Sequence, residues 1–231
     1  MNWSVDEIYS FLKWLIHKNQ AGGISATDFF YAWNSEQYSY QEDLLGRWQN
    51  RANGKEGLNT GLILNETEKQ KLSPFTLPST LTITSGKVDK PDNFMYELGI
   101  RMNATGGTAG SRIDKIEHDK IYSVTGSVID APSVSNNLYY AIEYENYYSL
   151  LPTSITGTVS LDYIAKCVDV VWGWVYDTDY RQKYYEPTSV QPQWDQNSII
   201  TITERTLKSL GVHFKDGDFA QYGQSVIQTG V

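Results

Sequence analysis

The chain has 231 residues, 40% of them apolar, including 7 Trp, 17 Tyr and 7 Phe. That is enough apolar and aromatic mass for a sizeable core, and it excludes wholesale disorder. Nineteen Lys and Arg against 27 Asp and Glu leave a net charge of −8, the wrong sign for a free-standing duplex-DNA binder, which needs a basic face to displace counterions.

No run approaches the ~20 apolar residues that span a bilayer. The start, MNWSVDEIYSF, lacks the positive region and small-residue cleavage site of a secretion signal. The single Cys167 leaves no intrachain disulfide and no cysteine-based zinc cluster. The expectation is a soluble, tyrosine-rich protein made inside a cell.

Ser4 and Glu7 have the spacing of a capping box, and Trp3 and Ile8 that of a hydrophobic staple. Ile8, Phe11, Leu12, Leu15 and Ile16 then repeat at helical spacing. Residues 19–23 stop this helix. Ser25 caps a second one, with Asp28 in its first turn and Ile24 spaced to staple onto Phe29. Phe29, Phe30, Trp33, Tyr38, Leu44, Leu45 and Trp48 carry it to about residue 50. A short connection makes the two an αα-hairpin. Residues 53–59 read as a loop, and Asn65 or Thr67 caps a short helix through Leu72, ended by Pro74.

Beyond Pro74 the pattern changes. Residues 80–84 alternate polar and apolar as a half-buried strand does, and residues 94–102 form a second strand. TGGTAGS at 105–111 is a flexible tip. In residues 113–129 the apolar positions Ile116, Ile121, Val124 and Val128 fit a helical face better than a strand, although Gly126 weakens it. Strands follow at 138–144, 147–151 and 158–165, with Glu145-Asn146 as a two-residue hairpin connection in which Asn146 can take positive φ. Val168–Tyr176 is a further apolar stretch. Residues 184–194, with Pro187 and Pro192, run extended over the surface. Asp195 caps a last substantial helix over about 197–210, closed by Gly211, and residues 219–227 are a short helical candidate.

Helices, then strands, then a helix make an α+β fold rather than βαβ alternation. The expected organisation is an N-terminal helical hairpin subdomain (1–73), a central antiparallel β-rich body (74–194) and a C-terminal helix and tail (195–231), together one structural unit.

Candidate chemistry is sparse. TGGTAGS lacks the Gly-Lys-Ser/Thr ending of a phosphate loop. His17, His118 and His213 are scattered, with no HExxH and no G-x-S-x-G elbow. Asp169, Asp177 and Asp179 could offer carboxylates to calcium but lack EF-hand spacing. Glu143 and Glu145 would share one face of a strand, as a glycosidase pair could. The sequons at Asn65 and Asn103 read as chance matches, and Cys167 reads as a small core residue. No catalytic, metal or cofactor site is expected.

The aromatic excess remains. Tyr139-Tyr140, Tyr147-Tyr148, Tyr184-Tyr185, Trp172, Trp174 and Trp194 crowd into the second half. They admit three readings: a tyrosine-rich sheet with an aromatic core, a protein–protein surface, or a carbohydrate-stacking platform.

An ordered succession of short motifs adds to this. Residues 18–30 (KNQAGGISATDFF) follow an amphipathic helix, and LSPF (72–75) and KPDNF (90–94) come next. SVIDAPS (127–133) precedes YENYYSLLPTSI (144–155), and LDYIAK (161–166) leads into Val171-Trp172-Gly173. The succession spans nearly the whole chain. It resembles the ring, or head-to-tail adaptor, proteins of crAss-like phages, the tailed phages of gut Bacteroidetes.

The resemblance implies a virion structural protein without enzymatic activity. It would form a dodecameric ring in the phage neck that docks below the portal protein, meets neighbouring ring and tail proteins, and passes DNA through its lumen without reading it. Heterologous contacts closed by rotation build such a ring, and an acidic lumen keeps DNA from sticking. Trp172, Trp174, Tyr184, Tyr185 and Trp194 are the expected contact residues. The rival readings are a carbohydrate-binding or adhesion module of a phage tail, or a hydrolase using Glu143 or Glu145.

Overall fold

The computed structural model describes residues 3–18, 24–52, 61–103 and 110–210. The expected helix stop at 19–23, the 53–59 loop, most of the TGGTAGS tip, Gly211, His213 and the 219–227 segment lie outside them. So do the side chains of Leu15, Ile16, His17, Trp48 and Asn65.

The fold is α+β, but the chain divides otherwise than the sequence suggests. One compact unit joins Met1–Lys71 to Cys167–Val231, and Leu72–Lys166 forms a second. Residues 167–194, expected in the β-rich body, therefore belong with the helices.

In the first unit, helix α1 (Val5–Lys18) starts at the expected capping box: Glu7 N–H donates to Ser4 Oγ (3.2 Å) and Ser4 N–H to Glu7 Oε2 (2.6 Å). Val5, Ile8, Phe11 and Leu12 bury its inner face. In helix α2 (Ala26–Ala52) the Ser25 hydroxyl accepts from the Asp28 N–H. Its inner stripe runs Phe29, Phe30, Trp33, Gln37, Tyr40, Gln41, Leu44 and Leu45, all buried. Helix α3 (Gly61–Leu72) begins earlier than either expected cap, and Pro74 follows it in a 3₁₀ turn. Near the other end of the chain, Asp195 accepts from the N–H groups of Asn197 and Ser198 to cap helix α5 (Gln196–Ser209). That helix lies on α2 through Trp33 Nε1 to Thr203 Oγ1 (3.2 Å), and Arg205 pairs with Asp43 (2.7 Å).

Two amides of the α2 stripe are buried for a reason that periodicity does not reveal. Gln41 Oε1 accepts from Cys167 N–H, Gln37 Nε2 donates to the Val168 carbonyl, and Asn34 both donates to and accepts from the Val170 backbone. Spaced 34, 37 and 41, these side chains serve residues 167–170 as a partner strand would, meeting backbone groups that burial would otherwise leave unpaired.

The second unit holds two sheets around one core. In the first sheet, strand β7 (Thr158–Ala165) lies between β1 (Thr76–Thr82) and β3 (Phe94–Met102), all antiparallel. The second has the order β2-β6-β5-β4, from β2 (Lys87–Asp89), β4 (Ile113–Lys115), β5 (Tyr139–Glu143) and β6 (Tyr147–Leu151), with β4 parallel to β5. Both contribute to the core: Val159, Leu161 and Tyr163 from β7 join Ala141, Tyr148 and Leu150.

Ser85 and Gly86, both at positive φ, join β1 to β2 in a two-residue turn closed by paired bonds between Thr84 and Lys87. Asn146, expected to be able to take such a conformation, is not among the positive-φ residues. The ambiguous 113–129 stretch divides into β4, a 3₁₀ turn (His118–Lys120) and a short helix, α4 (Ile121–Thr125).

Candidate functional site

The five aromatic residues singled out from the sequence separate into two groups. Trp194 is wholly buried: its Nε1 donates to Gln37 Oε1 (3.2 Å), and its ring meets Tyr40 edge-on at 5.3 Å. Trp172 is 8% exposed, donates to Asp6 (3.1 Å) and packs on Tyr9 at 5.0 Å. Both are core residues of the first unit, buried within the chain rather than presented at its surface as the expected contact role requires. Their helical neighbours, far away in sequence, decide this.

Trp174, Tyr184 and Tyr185 lie on or beside an antiparallel ribbon, β8 (Trp174–Tyr176) and β9 (Gln182–Tyr184). Tyr184 leans towards Trp172 (6.2 Å) and is half-buried, whereas Trp174, Val175, Tyr176 and Tyr185 are exposed. Trp174 and Tyr176 meet at an interplanar angle of 69° and do not form one flat stacking platform. Asp177 accepts from the N–H groups of Asp179 and Arg181, which turns the ribbon at its tip. Tyr180 closes the turn at φ 57°, where glycine is the usual occupant, and stands 87% exposed. The sequence reading passed over Tyr180; the Asp-Thr-Asp-Tyr turn flanked by aromatic strands is the signal that could have found it.

A second exposed element lies in the other unit. The connection from β4 to β5 carries Tyr122, Val128 and Ile129 (99% and 81% exposed for the last two) together with Val134. Parallel neighbours require a crossover, and a crossover helix ordinarily buries one face on its sheet. Helix α4 buries no residue.

The titratable groups form a third feature. Lys90, 8% exposed at its side chain, pairs with Glu143 (2.8 Å) and lies over the Phe94 and Tyr148 rings at 4.7 and 4.9 Å. Lys115 joins Glu143 to Glu97 (3.1 Å to the latter). Burial acts to raise the Glu143 carboxyl, but Lys115 and Lys90 outweigh it and hold the group below its ordinary range. Burial likewise opposes the charge on Lys115, and the bonds from Glu143 and Glu97 outweigh that and raise it. A carboxylate kept ionised by two lysines is a structural ion rather than an acid poised to protonate a leaving group.

Glu145 is exposed in the turn after β5, so the strand pairing imagined for it with Glu143 does not form. The network links residues up to 53 positions apart and left no spacing signal in the sequence. A cleft of about 410 Å³ beside it is lined by Lys115, Ile116, Glu117, His118 and Glu143.

Asp169 accepts from Tyr38 (3.0 Å), and burial followed by that carboxylate pushes the phenol up to about 12. Burial also pushes the Cys167 thiol up to about 12, as suits a core cysteine. Asn103 has both side-chain atoms engaged, with Thr158 and Ser160. Among the described residues, no helix is long and apolar enough to cross a membrane, and no group of three His, Cys, Asp or Glu could hold a metal ion. Compared with known proteins, the chain matches no family model and no curated relative.

Proposed function

We propose that this protein is a virion structural component, one subunit of a homo-oligomeric ring in the neck of a tailed phage that joins portal to tail and forms part of the DNA conduit. The observation that carries the reading is exposed apolar surface on two elements that bury little of their own. The ribbon exposes Trp174, Tyr176, Tyr180 and Tyr185, and the β4–β5 crossover exposes Tyr122, Val128 and Ile129. Clustered exposure of this kind marks interaction surfaces, and a ring subunit needs two different ones, because each copy meets its neighbours heterologously.

The ordered motifs resembling ring proteins of crAss-like phages support the same reading. So does the charge: a net −8 suits a passage that duplex DNA must traverse without adhering. The work is mechanical and interfacial, with partners in the portal, adjoining ring or tail proteins and further copies of the chain.

Light scattering and negative-stain imaging of the purified chain, alone and with the portal protein of the same virus, test this. Closed rings that seat on the portal are expected. A chain that stays monomeric beside the portal while turning over a small substrate would overturn it.

A further inference from the structure

We infer that Tyr180, at the tip of the β8–β9 ribbon, is a knob that enters the cleft beside Glu143 and His118 on a neighbouring copy of the chain. The inference rests on the ring reading above and names the contact that would build it.

A stiff turn presents the knob. Asp177 Oδ1 accepts from the N–H groups of Asp179 and Arg181 (2.9 Å each), and the Tyr180 N–H donates back to the Asp177 carbonyl. Tyr180 keeps a left-handed φ of 57° that a β-carbon disfavours, yet the residue is 87% exposed. Backbone strain of this kind concentrates at clamps and switches. On either side stand Asp179 and Arg181, both exposed and without an ion pair among the described residues.

The cleft suits this knob in size, hydrogen bonding and charge. Its volume of about 410 Å³ admits an aromatic side chain, with Ile116 as an apolar wall. His118 is fixed in place: Nε2 lies 3.3 Å from the Glu143 carbonyl, and the ring meets Tyr144 edge-on at 4.9 Å. Tyr144 in turn stacks on Tyr147. Glu143 is held by Lys90 on one carboxylate oxygen and by Lys115 on the other, with its side chain 37% exposed. A carboxylate has about four acceptor positions, which leaves room for a phenol O–H in a charge-assisted bond.

The rim completes the match. Glu117 lines the cleft and pairs with Lys120 on the surface (2.9 Å). A surface pair of this kind contributes little, and it can open to meet Arg181 and Asp179, exchanging one ion pair for two. A second cleft, of about 430 Å³, is lined by Arg101 and Arg112 and would set Arg181 against like charge. Tip and cleft belong to different compact units and are therefore different patches. Pairing them between copies is heterologous and propagates by rotation, as a ring requires.

The test uses the full chain, alone and with the portal protein, with assembly read by light scattering and native mass spectrometry. Tyr180→Asn removes the ring but keeps a residue that tolerates positive φ. R181E and E117R each reverse one exposed charge, and circular dichroism establishes that every variant is folded. Each of the three should run as a monomer. R181E/E117R carries the reversed pair in every copy and should recover assembly. An equimolar mixture of Y180N with E117R should stop at dimers, since each mixed pair retains one intact tip facing one intact cleft. Tyr180→Phe should weaken assembly roughly tenfold, the loss of one hydrogen bond to a charged acceptor.

Rings formed alike by the wild type and by Y180N overturn the knob and leave the ring reading standing. So does a double reversal that stays monomeric wherever the single reversals do. A wild-type chain that assembles neither alone nor on the portal overturns both.

Discussion

Replacing Trp194 by Ala should cost about 3–5 kcal/mol, because it empties a large buried site and removes the indole N–H that Gln37 Oε1 accepts from. Hydrogen exchange reports where that loss falls: protection should drop in α2 and α5 and persist in β5, β6 and β7, which belong to the other compact unit. Glu143→Gln acts in the reverse place. It deprives Lys90 of its carboxylate inside the protein, a loss of about 2–3 kcal/mol given that Glu143 is only partly buried.

The pH dependence of Glu143 follows from its direction. A carboxyl whose folded value is depressed stabilises fully above its ordinary 4.5 and loses that contribution as pH falls through the folded value. Urea midpoints measured from about pH 7 down to about pH 3 should therefore fall more steeply for the wild type than for Glu143→Gln. Parallel curves would show that the Lys90 and Lys115 pairs do not set the acid limit.

At the scale of elements, the ribbon joins its unit through a close backbone approach at Gly173. A Cβ there would collide with the Thr188 hydroxyl and stand 2.6 Å from the Thr188 carbonyl carbon and 2.8 Å from the Ser189 nitrogen. Backbone cannot swing aside as a side-chain tip can, so Gly173→Ala should cost about 2 kcal/mol. It should also disturb the neighbouring Trp172, visible in fluorescence. Tyr180 at the ribbon tip is in a conformation that disfavours a β-carbon. Tyr180→Gly should stabilise the isolated chain by up to about 1 kcal/mol while weakening assembly, an opposition expected when a strained residue serves a contact beyond its own fold. Thermal melts and sedimentation of the same sample measure the two effects together.

At the scale of the whole molecule, 19 cationic and 27 anionic side chains leave a particle that repels duplex DNA. Gel-shift titration at physiological salt should show no retention of a linear duplex, whether the protein is monomeric or assembled. Retention that weakens steeply with added salt would mean a concentrated basic face and would contradict the conduit reading.

Much of the local architecture followed from the residues alone. Ser4 with Glu7, Ser25 with Asp28, and Asp195 ahead of α5 placed helix starts, because capping is settled within one turn of chain. Alternation and turn chemistry likewise placed strands β3, β5, β6 and β7, since pleat and spacing are also local. Burial was decided elsewhere. Trp194 and Trp172 look no different in sequence from Trp174, and only packing on α2 and α1 made two of them core and left the third exposed. The division at Leu72 and Lys166 was also hidden: the amides of Asn34, Gln37 and Gln41 reach more than a hundred residues along the chain to hold 167–170. The lysine–glutamate network and the exposed β4–β5 crossover were equally illegible. Each depends on which distant segments the fold brings together or leaves apart, and that depends on tertiary packing rather than on sequence spacing.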